Sequence, residues 1–233
     1  MTLARGKGVL VAAGALAGTL CMGAPLCATL IAGMTSWMQQ RAASRVGAVV
    51  PGWSSMEELG QVNTIVTEGH DLFPTGCVTL HGLKTFEKER IDLAILYAAS
   101  VLIAGCDTLR DLFLEIIQNR TEILYKVESL TCEQGKGFNA WVDGHRIVIG
   151  GRAMMTAHQV GIPSHDWEER YTHGRLQPVY LAVSGKLFGM FVVGYQGSRE
   201  IAASLHTLQK SGLSLLVRTD DFSLTSDLIE QAY

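Results

Sequence analysis

Apolar and polar positions divide the chain unevenly. From residue 8 to residue 40 no charged side chain occurs, with Arg5 and Lys7 before the run and Arg41 and Arg45 after it. A membrane-crossing helix needs roughly 20 such residues, so the stretch is long enough with some to spare. Its Ala and Gly content makes it only moderately hydrophobic, as suits a helix packed against other helices. A cleaved leader would share the basic start and the apolar 9–20 segment. The apolar run continues well past such a cut, through Leu26, Leu30, Ile31 and Met34, so a membrane segment is the better reading. Basic residues at both ends leave the orientation open.

Beyond it the period changes. Residues 36–46 continue the helix, a short strand is expected at 48–50, and Ser54 or Ser55 caps a helix through SSMEELG. VNTIVT, at 62–67, is a β-branched run of the buried-strand type. A turn-rich patch at 68–76 leads to a strand at 77–80. Helical spacing follows at 89–104 and 108–119. Strand patterns at 123–131, 138–142 and 145–149 include an Asp143-Gly144 hairpin turn. Next come a helix at 151–159, a polar connection containing Pro163 and His165, and strands at 178–184 and 187–194 joined by Ser184-Gly185. Helix 198–210, strand 213–218 and helix 223–232 complete the order. The layout predicts an α/β core interrupted by an α+β insertion, with 62–67 lying beside 213–218.

Composition narrows the class. With 48% hydrophobic and 18% charged residues the chain is not disordered. A net charge of −3 argues against a nucleic-acid partner. Cys21, Cys27, Cys77, Cys106 and Cys132 are scattered without a CxxC pair, so neither a disulfide framework nor a zinc site is expected. Cys21 with Cys27 would make a poor Cu(I) or Zn site, and small packing residues are the plainer reading.

Several segments, in order, resemble the P-type cation-transporting ATPases, most closely the heavy-metal branch. Ala24-Pro25-Leu26 stands in the apolar helix where that branch has Cys-Pro-Cys, with Cys27 one residue beyond the second Cys. VNTIVT leads into Glu68 at the position of the phosphorylated Asp of D-K-T-G-T-L-T-x-G, and Gly76 takes the closing Gly. YAASVLIAGCDTL, at 97–109, has the spacing of A-A-S-L-E-x-x-S-E-H-P-L, with Asp107-Thr108 in place of His-Pro. EQGKGFNAWVDGHRIVIGGRAMM, at 133–155, resembles the nucleotide-domain glycine stretch and keeps Gly135, Gly137 and Gly150. The 192–222 segment resembles the D-P-x-R helix and T-G-D-N loop. It keeps Arg199, Thr219 and Asp221, while Gln196 and Asp220 replace the Asp and the Gly.

The resemblance implies an incomplete haloacid-dehalogenase-like Rossmannoid α/β core, carrying an inserted α+β nucleotide-binding-like domain and an N-terminal transmembrane helix. The expected divisions are 1–46 for the helix and its cytoplasmic extension, 47–85 and 178–233 for the core, and 86–177 for the insertion. The family's actuator T-G-E-S and its G-D-G-x-N-D loop are missing, which reads as a gene fragment or a split protein. The implied cofactors are ATP and Mg²⁺, or none if the chemistry is lost. The implied partners are the membrane and a complementing chain with the actuator and remaining transmembrane segments. Localisation would be the cell membrane, with residues after about 36 cytoplasmic.

Phosphoryl transfer in this family needs an Asp nucleophile and a neighbouring Lys. Glu68 is an acid, but its added methylene shifts the carboxylate by roughly 1 Å, worth about 10²-fold in attack geometry. Gly69 replaces the Lys, and His70 and Asp71 replace the small Thr-Gly. Asp71 becomes the nucleophile only if the loop bulges; a solvated polar turn is the plainer reading of 68–71. Gly135, Gly137 and Gly150 let a nucleotide approach the backbone, or make a tight turn. Asp220 and Asp221 keep a carboxylate pair after a strand, or cap the next helix. Glu68, Asp71 and Asp221 are thus the degenerate catalytic positions, and Gly135, Gly137, Gly150, Thr219 and Arg199 the cofactor-binding ones. No metal-ligating set is read. The expectation is a catalytically degenerate P-type ATPase-like membrane protein with a structural, regulatory or ligand-sensing role. The alternatives are an active metal-cation transporter fragment and a soluble or secreted binding domain with a cleaved leader.

Overall fold

The computed structural model describes residues 2–86, 90–173 and 176–233, with the side chains of 2–7, 24–27 and 53 outside the description. Two compact units divide the chain after Val62. In the first, α1 runs unbroken over Thr2–Ser44, and the large apolar side chains described along it are exposed. At 1.5 Å per residue its 43 residues extend about 65 Å, twice a hydrocarbon core. It is long and apolar enough to cross a membrane, with mean hydropathy 1.9 in its most apolar window. The Arg41 guanidinium lies 5.3 Å from the centre of the Trp37 ring, near its end. The Ala24-Pro25-Leu26 motif and Cys27, like the flanking Arg5 and Lys7, fall among the undescribed side chains. The expected strand at 48–50 does not form: Val49 is exposed, no strand lies beside it, and the Val50 N–H donates to Gln40 Oε1 instead. Helix α2, Gly52–Gln61, begins two residues before the expected serine cap.

The second unit, Asn63–Tyr233, holds two sheets. Strands β1 (Thr64–Glu68) and β8 (Ser214–Arg218) pair in parallel, with Thr64 opposite Ser214 and Glu68 opposite Arg218. These are the two segments expected to meet across the length of the insertion. The other sheet has six antiparallel strands in the order β2-β7-β6-β5-β4-β3: β2 Val78–Thr85, β3 Val127–Glu133, β4 Gly137–Val142, β5 His145–Gly150, β6 Gln177–Val183 and β7 Lys186–Tyr195. Segments 77–80, 178–184 and 187–194, expected in the α/β core, therefore join this larger sheet as β2, β6 and β7. The reason is β7, whose ten residues hydrogen-bond to β6 on one side and β2 on the other.

Two hairpin turns set the register. Asp143 and Gly144 have φ of 50° and 71°, and Ser184 and Gly185 have 48° and 81°, the positive pairs that a two-residue turn requires. Alternating side chains then cover the sheet from both faces. Val179, Leu181, Phe191 and Val193 join α4 (Ile91–Gly105) and α5 (Asp107–Ile116) in one core. Tyr180, Ala182, Met190 and Val192 join Met154 and Met155 of α6 (Arg152–Ala157) in another. The polar connection at 163–165 is instead the start of a helix, α7, His165–Thr172. Buried Glu168 holds it: the carboxylate accepts bonds from Arg152 and from the Tyr180 hydroxyl at 2.6 Å each. Helix α8 (Arg199–Lys210) leads into β8, and α9 (Ser226–Ala232) follows it.

Candidate functional site

The parallel pair ends at Glu68 and Arg218, and the loops leaving it define a cleft at the carboxyl edge of the strands, where open α/β sheets place ligands. Glu68, Gly69, His70, Arg218, Thr219 and Asp220 line it, with Asp107 and Thr108 from the start of α5. Its volume is about 40 Å³. A wider hollow of about 280 Å³ continues past His70, Asp71 and Asp107 toward Asp111.

The Glu68 carboxylate is paired with the Arg218 guanidinium. Glu68 also caps α3, Gly69–Leu72, in a capping box: Asp71 Oδ2 accepts from the Glu68 N–H at 3.1 Å and from Thr67 Oγ1 at 3.2 Å. Those contacts, the Glu68 N–H foremost, hold the Asp71 carboxyl below its usual range, and nearby His70 adds to them. His70 lies 3.5 Å from Glu68 and 3.3 Å from Asp71. Gly69 is closed in. A Cβ there would sit 2.6 Å from Thr219 Oγ1 and 3.0 Å from both Thr108 Oγ1 and Leu224 Cδ1. The position that the resemblance gives to Lys has no room for any side chain unless these loops shift.

Asp221, two residues beyond Thr219, faces away from the solvent. It is 3% exposed, its Oδ2 accepts from the Tyr195 hydroxyl at 2.6 Å and its Oδ1 from the Ser223 N–H at 2.9 Å. Burial pushes its pKa up to about 6, against these hydrogen bonds. The hydroxyl of Tyr195 is itself held well above its usual pKa, mostly by burial and then by Asp221.

Of the residues picked from sequence, Glu68 and Thr219 meet in the cleft and Asp71 lines its wider end. Asp221 lies behind it, while Arg199 opens α8 exposed and lines neither hollow. Gly135 (φ 69°) makes the turn into β4. A Cβ on Gly137 would lie 2.2 Å from the Ile149 carbonyl oxygen, and one on Gly150 2.3 Å from that of Lys136. Close strand approach therefore accounts for Gly137 and Gly150 without a ligand. Sequence reasoning missed Arg218, although it is the first charge after an apolar strand and stands in register with Glu68. It also missed Tyr195, which no local pattern links to Asp221. Among the described residues, no three His, Cys, Asp or Glu side chains are arranged to hold a metal ion.

No family model matches the chain. A manganese-exporting P-type ATPase of Mycobacterium tuberculosis (strain ATCC 25618 / H37Rv) is 26% identical over 183 residues, covering 75% of this chain and 25% of that protein. A zinc-exporting P-type ATPase of Mycobacterium marinum is 25% identical over 183 residues, 75% of this chain and 24% of that one. A copper-exporting P-type ATPase of Legionella pneumophila is 23% identical over 184 residues, 78% and 25% of the two chains. The chain thus spans about a quarter of the length of the curated relatives it matches. Among solved structures, the catalytic domain of the CPx-ATPase CopB-B has TM-score 0.49 at 12% identity, over 79% of this chain and 62% of that one. A zinc-transporting PIB-type ATPase has TM-score 0.44 at 18% identity, over 83% and 31%. The chain is a distant relative of the heavy-metal P-type ATPases, which it matches over three quarters of its own length.

Proposed function

We propose that this is a P-type ATPase-like membrane protein that no longer forms a phosphorylated intermediate and serves a structural, regulatory or ligand-sensing role. One observation carries the reading: Gly69, at the Lys position, is packed against Thr219, Thr108 and Leu224. Glu68, at the nucleophile position, is paired with Arg218 and caps α3. The groups that act with the nucleophile in the family are replaced together, the Lys by Gly69 and the D-P-x-R Asp by Gln196. The relatives imply ATP and Mg²⁺, yet these residues do not fit them. The small cleft sets Glu68, Asp107 and Asp220 against one Arg, which disfavours polyphosphate.

The parallel β1–β8 pair supports assigning 63–76 and 197–233 to a haloacid-dehalogenase-like core, with the antiparallel sheet as the inserted nucleotide-domain-like part. Helix α1 supports a membrane anchor; the cytoplasmic placement of the residues after about 36 rests on the resemblance alone. A groove of about 810 Å³ along β8, between α8 and α9, is lined by Leu205, Leu208, Leu215, Leu216 and Ile229. Its apolar lining supports a complementing chain docked there.

Phosphate release tests the reading. The purified full chain in detergent, given ATP, Mg²⁺ and in turn Mn²⁺, Zn²⁺ or Cu⁺, is expected to release no more phosphate than its Glu68→Gln variant. Metal-stimulated release lost in that variant would restore the transporter reading.

A further inference from the structure

Residues 219–225 follow β8; Thr219 and Asp220 line the cleft, and the segment behind them is tied to the antiparallel sheet at two points. Phe222 meets Phe138 edge-on, with ring centres 6.3 Å apart. The second tie is the 2.6 Å contact from the Tyr195 hydroxyl, at the end of β7, to Asp221 Oδ2. Within the loop, Asp221 also organises the turn: its N–H donates to Thr219 Oγ1 at 3.0 Å, and its Oδ1 accepts the Ser223 N–H. Thr219 is the side chain that closes on Gly69. Asp221 therefore connects the large sheet, through its carboxyl, to the innermost wall of the cleft, through its backbone N–H.

Among the described residues that carboxyl has no counter-ion. The groups facing it are the Tyr195 hydroxyl from β7, the Cys106 thiol from the α4–α5 junction, and Ser223 of its own loop. Asp220, its neighbour in sequence, adds negative charge on the Cys106 side. Among the described residues, no Lys, Arg or His side chain pairs with Asp221. A buried ionised carboxylate without a cation is expensive, whereas the protonated form both donates and accepts.

We propose that Tyr195 and Asp221 form a proton-controlled latch: with Asp221 protonated, the 219–225 loop is held most firmly on the antiparallel sheet, and ionisation of Asp221 loosens that hold, while closure of the cleft does not require the proton. The direction follows from linkage. The docked state holds the proton up to about pH 6, while an undocked, solvated carboxyl loses it near the ordinary 3.8. Docking is thus favoured below that window and weakens as pH rises through it, by about 100-fold for a shift of about two pH units. Cys106, held protonated by burial, does not titrate in the same range.

Amide hydrogen exchange on the full chain in detergent, corrected for intrinsic rates, tests the latch between pH 5 and pH 7.5. Protection at 219–225 is expected to fall by about tenfold in the wild type. In Asp221→Asn, which is neutral throughout, it should stay flat, and Tyr195→Phe should be less protected already at pH 5. Equal pH profiles for the wild type and Asp221→Asn would overturn the proposal. Should the variants not fold, infrared difference spectra of the wild type alone decide: a protonated-carboxyl band lost around pH 6 supports the latch, and no band titrating between pH 5 and pH 7.5 refutes it.

Discussion

The two sheets of the second unit are stabilised in different ways. In the antiparallel sheet, β7 buries seven consecutive residues, because helices cover both of its faces. In the parallel pair, no residue of β8 is fully buried, Leu216 is 57% and Val66 62% exposed, and α8 buries nothing completely. Parallel strands ordinarily lie under cover on both faces, and β1–β8 lacks that cover on these side chains. The candidate site lies on the less protected sheet. The large sheet is a self-sufficient scaffold, and the small one is an open platform whose shape depends on a few close contacts.

The largest expected effect would break this contrast if it failed. Phe191→Ala, at a side chain fully buried against Phe113, should cost about 3–5 kcal/mol in denaturant unfolding of the full chain. Leu216→Ala on the exposed platform should cost less than about 1 kcal/mol. Similar losses would mean that the two sheets are equally packed.

Next comes pH. The Asp221 pKa is raised from 3.8 to about 6, so the folded protein holds a proton that the unfolded chain gives up. Its contribution is full below pH 3.8 and is lost as pH rises through about 6, a change of roughly 3 kcal/mol. Stability of the wild type relative to Asp221→Asn should therefore fall over that window, as read from paired urea titrations. Parallel curves would place Asp221 in a more polar setting.

Gly69→Ala sharpens the picture of a closed cleft. The added methyl meets two hydroxyls and a leucine, at a cost of about 1–3 kcal/mol by overpacking. Thermal unfolding should show that loss, and an unchanged midpoint would mean that the Lys position is open. The smallest effect is expected for Arg218→Ala. Its guanidinium side chain is 76% exposed, so breaking the pair with Glu68 should cost less than about 1 kcal/mol, and less again in high salt.

The legible parts of the sequence follow the same division. Asp143-Gly144 and Ser184-Gly185 announce their turns because a two-residue hairpin needs positive φ, and VNTIVT announces a strand by its branching. The pairing of 62–67 with 213–218 was legible from element order. Helix 165–172 was not, because its polar face hides a buried Glu168 that only Arg152 and Tyr180 explain. Ser164 before Asp166 and Glu168 was the available start signal. The place of 78–85 and 186–195 depended on long-range strand pairing, which local pattern does not encode. In the site, Glu68 and Thr219 were found by their places in the motifs of the resemblance. Arg218 and Tyr195 act through partners more than twenty residues away in sequence, beyond any local motif.

Covalent labelling tests the central claim most directly. The full chain in membranes is incubated with radiolabelled ATP, Mg²⁺ and a transition-metal cation, then quenched in acid. The account predicts no acid-stable, hydroxylamine-sensitive label above background. A label that forms on the wild type and disappears in Glu68→Gln or Asp71→Asn would contradict it, showing a working acyl-phosphate cycle in the closed cleft.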